Sequence, residues 1–169
     1  PDQGVNKKIV RELAPIVQSR GAALIVDGGA QLAVRADADG AHLRGLGEPF
    51  EDALDALKPD RIVGAGNLKT RDDAMNAGED GVDYIMFGEP APDGYTPPLA
   101  ETLERVDWWS QIFEVPCIGY APRLADIPAL CAAGADFVAL CDAVWTDTRG
   151  PAAATAEAQS LLQARGPAA

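Results

Sequence analysis

Polar residues able to bind or transform a small molecule stand one after another at the ends of short apolar runs. Asp27 follows Leu24-Ile25-Val26, Arg44 follows Ala41-His42-Leu43, and Asn67 and Lys69 follow Arg61-Ile62-Val63-Gly64. Glu89 comes after Tyr84-Ile85-Met86-Phe87, Tyr120 and Arg123 after Pro116-Cys117-Ile118-Gly119, and Asp142 after Phe137-Val138-Ala139-Leu140. In a barrel, residues at the C-terminal ends of strands converge on the catalytic mouth. On that reading Asp27 or Asp142 serves as a base and Arg44 or Lys69 as an anion contact. The competing reading makes the same groups solvated loop chemistry.

Two further features carry the same pair of readings. His42 is the only histidine and exchanges protons near neutral pH. Its small and apolar strand neighbours favour a hydrogen-bonded structural histidine instead. Trp108-Trp109 could stack on an aromatic ligand, but their amphipathic setting favours external packing or a subunit contact.

The elements that must position these groups follow from periodicity. Six strand-like runs alternate with helical patterns, which indicates parallel strands covered on both faces. Val5, Ile9, Leu13 and Ile16 keep helical spacing before Gly21; Phe50, Ala53, Leu54 and Leu57 repeat it before Pro59. Leu103, Val106, Trp109 and Phe113 form a longer stripe, Thr70 and Asp73 suit a capping box, and Ala152 to Ala164 reads as a last helix. The segments "RADADGAHL", "NAGEDGVDYIMFG" and "CAAGADFVALC" share one pattern. In each, a helix ends at a small residue, an acidic residue marks the turn, and a strand follows. An eight-stranded barrel is the natural closed form of such repeats, and an open doubly wound sheet is the alternative. No G-x-G-x-x-G motif opens a helix after a strand, which argues against a dinucleotide fold.

Composition narrows the partners. The 169 residues, 47% of them hydrophobic, suffice for one sizeable core. A formal net charge of -12 argues against nucleic acid, which needs a basic surface. Cys117, Cys131 and Cys141 lack metal-type spacing and read as reduced thiols of a cytoplasmic protein. No run approaches a membrane span, and no signal peptide is visible.

The blocks "ALIVDGGAQLAVRADADGAHLRG", "RIVGAGNLKTRDDAMNAGEDGVDYIMFGEPAP" and "VPCIGYAPRLADIPALCAAGADFVALCDAV" resemble thiamine phosphate synthase and its thiazole tautomerase relatives. Their order and spacing match from Val5 to Val144. The resemblance implies a (β/α)8 TIM barrel in which "ALIV" is the third strand, so the first two βα units are not represented. Residues 1–169 then form a single barrel domain, strands three to eight with a C-terminal helix. Six strands cannot close a barrel whose shear and tilt are set for eight.

The resemblance also implies a reaction. An aminopyrimidine diphosphate is joined to a thiazole phosphate, with Mg²⁺ and cationic side chains on the departing pyrophosphate. Several positions depart from that pattern. Where the family ends its third strand in Asn-Asp, this chain has Asp27-Gly28; after His42-Leu43, where Gly-Gln and acidic residues are expected, it has Arg44-Gly45-Leu46-Gly47. Glu48 lies one place beyond, so a slipped loop would restore one ligand. The family's Gly-x-Ser-x-His becomes Gly64-Ala65-Gly66-Asn67-Leu68, without the histidine that the tautomerase branch uses. No lysine follows Lys69. In the phosphate-binding loops Ile-Gly-Gly-Ile becomes Ile118-Gly119-Tyr120-Ala121, and Asp142 stands where a phosphate should sit.

These departures lead to a family member of thiamine biosynthesis that is catalytically degenerate. The alternatives are a non-catalytic paralogue binding a small molecule or protein, and a different enzyme rebuilt on the same mouth. Asp27, Asn67 and Lys69 are the catalytic candidates; His42, Arg44, Glu89, Tyr120 and Asp142 are the substrate-binding candidates. No metal ligands and no cofactor are expected, since the family's magnesium ligands are replaced. A small-molecule ligand and a homo-oligomer are the expected partners, with neither nucleic acid nor membrane.

Overall fold

The computed structural model describes residues 3–164. The chain divides into two compact units, the first running to Ile85 and the second starting at Met86. The first holds α1 (Gln3–Gln18), β1 (Ile25–Asp27), α2 (Ala30–Ala36), β2 (Gly40–Arg44), α3 (Glu48–Leu57), β3 (Ile62–Gly66), α4 (Arg71–Glu79) and the start of β4 (Tyr84–Phe87). β1 pairs in parallel with β2 and β2 with β3, and Gly64 and Ala65 of β3 lie opposite Tyr84 and Ile85. Parallel neighbours need a crossover, and each intervening helix supplies one.

Small residues let the layers approach. Val26, Ala41, Leu43, Val63, Ala65 and Ile85 are buried from the strands, and α3, which packs on β2 and β3, buries Phe50, Ala53 and Leu57. The Phe50-Ala53-Leu57 spacing is thus the core face that periodicity predicts. Helix α1 behaves differently. Its buried contact is Ala14, while Ile9, Leu13 and Ile16 are 48%, 43% and 62% exposed; the Val5 side chain lies outside the described residues. Helical spacing identified the helix, but its aliphatic stripe faces solvent.

The second unit holds the rest of β4, then α5 (Leu99–Ser110), β5 (Cys117–Tyr120), α6 (Ile127–Ala132), β6 (Phe137–Ala139), α7 (Asp142–Trp145) and α8 (Pro151–Gln163). β5 and β6 are parallel, with Ile118, Gly119 and Tyr120 opposite Phe137, Val138 and Ala139. Its core is built on Trp109, fully buried, which stacks on Phe113 at 4.0 Å and meets Phe87 edge-on. The Trp109 indole N–H donates to the Val115 carbonyl at 2.7 Å, satisfying its polar tip. The expectation of external packing for the tryptophan pair is therefore corrected for Trp109. Its position on the inward stripe of α5 and its hydrogen bond make it core.

One device recurs in both units. The Asp39 carboxylate accepts from the Leu24 N–H at 2.7 Å, and the Asp39 N–H donates to the Leu24 carbonyl at 2.9 Å. Asp83 does the same to Val63, at 2.7 and 2.8 Å, and Asp136 to Cys117, at 2.8 and 3.0 Å. These are the acidic residues of the three repeated segments. Each sits at the turn before one strand and takes both backbone groups of a residue at the start of the strand before it.

Six strands are present among the described residues, alternating with helices. The α/β class follows from them, while closure into eight strands does not. No described helix is long and apolar enough to cross a membrane.

Candidate active site

In the first unit, parallel register brings the strand-end candidates side by side. Asp27 lies opposite His42, and Arg44 lies opposite Gly66, the residue before Asn67. The Arg44 guanidinium forks onto the Asp27 carboxylate, Nε to Oδ1 at 3.1 Å and Nη2 to Oδ2 at 2.5 Å. A planar bidentate pair of this kind has stronger and more directional hydrogen bonds than a neutral contact. Sequence reasoning gave these two residues separate roles; the structure makes them one ion pair at the strand ends.

The next candidates are also joined. Lys69 Nζ donates to Asn67 Oδ1 at 2.9 Å. Asn67 has φ of 50°, a left-handed conformation that Asn tolerates better than most side chains. The turn then enters α4 through the expected capping box: Asp73 N–H donates to Thr70 Oγ1 at 3.0 Å, and the Asp73 carboxylate accepts from the Thr70 N–H at 2.9 Å.

His42 is buried, and its Nδ1 lies 3.0 Å from the Tyr84 hydroxyl. The rings are stacked, with centroids 5.7 Å apart and planes 10° from parallel. Register explains the contact, because His42, Gly64 and Tyr84 are successive cross-strand partners. A Cβ at Gly64 would stand 2.0 Å from Tyr84 Cζ. The absent side chain thus lets the tyrosine ring lie across the middle strand and reach the imidazole. Tyr84 was not among the sequence candidates; a glycine inside a strand, the mark of close approach, was the available signal.

In the second unit, Glu89 is buried just after β4. Tyr120 is buried at the end of β5; burial, and next the charges of Cys141 and Asp142, push its phenol above the ordinary range. It is therefore a neutral hydroxyl, able to donate, through the physiological range. Asp142 is exposed at the start of α7, its Oδ1 3.8 Å from Cys141 Sγ. Arg123 turns back on Asp126, donating to its carboxylate at 3.0 and 2.7 Å. That ion pair secures the turn leading into α6, so Arg123 is a structural residue of the loop.

A cavity of about 620 Å³ in the first unit is lined by Lys7, Arg35, Glu48, Asp52 and Asp55 together with α2 backbone and apolar groups. None of the strand-end candidates lines it. Glu48, the carboxylate that a slipped loop would carry toward the strand ends, faces this cavity instead.

The sequence model described as "Thiamine monophosphate synthase" matches residues 2–144. The chain belongs to this family. Thiamine-phosphate synthase of Rhodospirillum centenum is 36% identical over 165 residues, covering 96% of this chain and 79% of that protein. The protein of the same name from Erythrobacter litoralis is 36% identical over 162 residues, covering 92% of this chain and 76% of its own. Among solved structures, thiamine phosphate pyrophosphorylase from Pyrococcus furiosus superposes with a TM-score of 0.81 at 22% identity, over 97% of this chain and 79% of the other. 3-Hexulose-6-phosphate synthase from Salmonella typhimurium gives 0.70 at 17% identity, over 91% and 80%. At these identities the two structures support the fold alone.

The thiamine phosphate synthase resemblance implies magnesium, and the donor set tests that implication. Magnesium takes an octahedron of hard oxygens, normally including one or two carboxylates. Gly28, with φ of 117°, stands at the expected ligand position. The neighbouring carboxylate, Asp27, directs both oxygens at Arg44. Among the described residues no group of three or more His, Cys, Asp or Glu side chains is gathered to hold a metal ion. The residues present do not fit the ion.

Proposed function

We propose that this member of the thiamine phosphate synthase family binds a small anionic molecule at its strand ends and does not carry out the metal-assisted condensation of its relatives. The observation that supports this most directly is the Asp27–Arg44 fork, a guanidinium where the family's chemistry calls for a carboxylate-held metal. Departure of a diphosphate needs its developing charge neutralised. Among the described residues no cluster of metal-binding side chains supplies that, and no lysine follows Lys69.

On this reading the six strands correspond to strands three to eight of the family's (β/α)8 barrel. Asn67 and Lys69 position the ligand beside Arg44, while His42 is a structural partner of Tyr84. Glu89, Tyr120 and Asp142 are polar contacts of the second unit. The protein works in the cytoplasm, where its three free cysteines stay reduced.

The deciding assay supplies the aminopyrimidine diphosphate, the thiazole phosphate and Mg²⁺, with the Rhodospirillum centenum protein as positive control. No thiamine phosphate above the protein-free rate is expected. Its formation, abolished by Asp27→Ala, would overturn the proposal. The second reading, an active transferase, is favoured by 36% identity to proteins named for that activity. That outcome would establish it.

A further inference from the structure

We propose that the cavity bounded by α1, α2 and α3 is a second binding site, built for a linear zwitterion: a short molecule with a carboxylate at one end and an ammonium group at the other. None of the strand-end candidates lines it. The site therefore stands or falls independently of what the strand ends bind.

Three observations carry it. First, the space is of the right size and belongs to one unit. Its volume of about 620 Å³ falls within the roughly 300–1,000 Å³ of small-molecule sites. Helix α2 packs against both α1 and α3, and all three helices line the cavity. Second, its charges are sorted by helix. Lys7 of α1 and Arg35 of α2 supply the cations; Glu48, Asp52 and Asp55 of α3 supply the carboxylates. Steps of four and three residues put those carboxylates on one face of α3, opposite the buried Phe50, Ala53 and Leu57. Third, these charges are unspent. None of the five makes an ion pair or hydrogen bond among the described residues. In the same unit Arg44, Lys58 and Arg61 each hold a carboxylate. The opposite charges of the cavity therefore lie beyond ion-pair reach of one another.

The ligand class follows from that arrangement. A ligand of one sign would be attracted to one wall and repelled by the other. A metal ion is no better, because no group of three or more His, Cys, Asp or Glu side chains among the described residues gathers around one point. A zwitterion long enough to span the gap satisfies both walls. Its carboxylate accepts from Arg35 and Lys7, and its ammonium donates to Asp52 and Asp55. Leu32, Pro49 and Ala56, which also line the cavity, offer apolar surface to the methylenes joining the two ends.

The test titrates ε-aminocaproate into the full chain, isotope-labelled for amide NMR, at low ionic strength and neutral pH. Exposed charge contacts are individually weak, so a millimolar dissociation constant is expected. Saturable shifts should be confined to amides of α1, α2 and α3. Hexanoate and hexylamine, each carrying one end only, should bind at least about fivefold more weakly, as should glycine, whose ends lie too close together. Arg35→Gln should weaken ε-aminocaproate by a similar factor without weakening hexylamine. Asp52→Asn should weaken it without weakening hexanoate. Far-UV circular dichroism shows that both variants are folded.

Hexanoate or hexylamine binding as tightly as ε-aminocaproate overturns the proposal in favour of a site for one charge. Shifts that fail to saturate, or that fall at the strand ends, overturn it outright. Acetyl-lysine and triglycine carry the same two ends on an amino-acid side chain and on a peptide backbone. The tighter binder identifies the source of the ligand, and binding of neither overturns the proposal.

Discussion

Replacing Asp136 by alanine removes one of the three carboxylates that hold consecutive strands together. The Cys117 N–H, which donates to it at 2.8 Å, belongs to a fully buried residue and loses its partner. Leaving a buried donor unsatisfied costs about 1–3 kcal/mol. Asp136 itself is exposed, so water reaches part of the vacated space. The lower half of the range, about 1–2 kcal/mol, is the better expectation. For a chain of this size that is a fall in melting temperature of roughly 2–8 °C. Asp136→Asn keeps an acceptor oxygen while losing the charge, and should cost less than half as much. Urea denaturation of the three proteins supplies the free energies, with an unchanged slope showing that the unfolded state is the same. A cost below about 0.5 kcal/mol for alanine, within ordinary surface scatter, would refute the reasoning. Equal costs for alanine and asparagine would refute it too.

Two other outcomes are expected. Gly64→Ala drives a methyl into the Tyr84 ring, where Cβ would meet Cζ at 2.0 Å, and should cost about 2–4 kcal/mol from overpacking and the lost His42–Tyr84 hydrogen bond. Adding Tyr84→Leu should relieve part of this, so the double variant measures less than the sum of the singles; strict additivity counts against the register argument. The Asp39 carboxyl is held below its ordinary range by the Leu24 N–H, and that of Asp147 is held at about 2 by Arg149. A depressed folded-state pKa gives stability that is present above the unfolded value and disappears as pH falls through the folded one. Melting temperature should therefore drop between about pH 4 and pH 2, less steeply in the Asp39→Asn, Asp147→Asn double variant.

The strands were legible because short apolar runs bounded by turn residues leave little else to be, and all six were found within a residue or two. Acidic residues at three turns were also visible, but not their partners. Each grips a residue 15 to 20 positions earlier, which no local pattern announces. Periodicity misled about burial at α1, where Ile9, Leu13 and Ile16 keep helical spacing yet face solvent. At the candidate site, the polar residues at the strand ends were visible in the sequence while their pairings were not. Asp27 and Arg44 looked like independent groups because strand register, which decides what meets what, is a tertiary property. For His42, the small and apolar neighbours suggested a hydrogen-bonded histidine, and the Tyr84 hydroxyl lies 3.0 Å from its Nδ1.

The aspartate clamps have a consequence for how the chain reaches its structure. Each spans one strand-helix-strand interval, closing loops of 15, 20 and 19 residues. Closing so short a loop costs little entropy, and contacts of low sequence separation form early. β2, β4 and β6 can thus each be fastened to the strand before it through contacts within one such interval. Assembly in chain order needs no distant segment to begin.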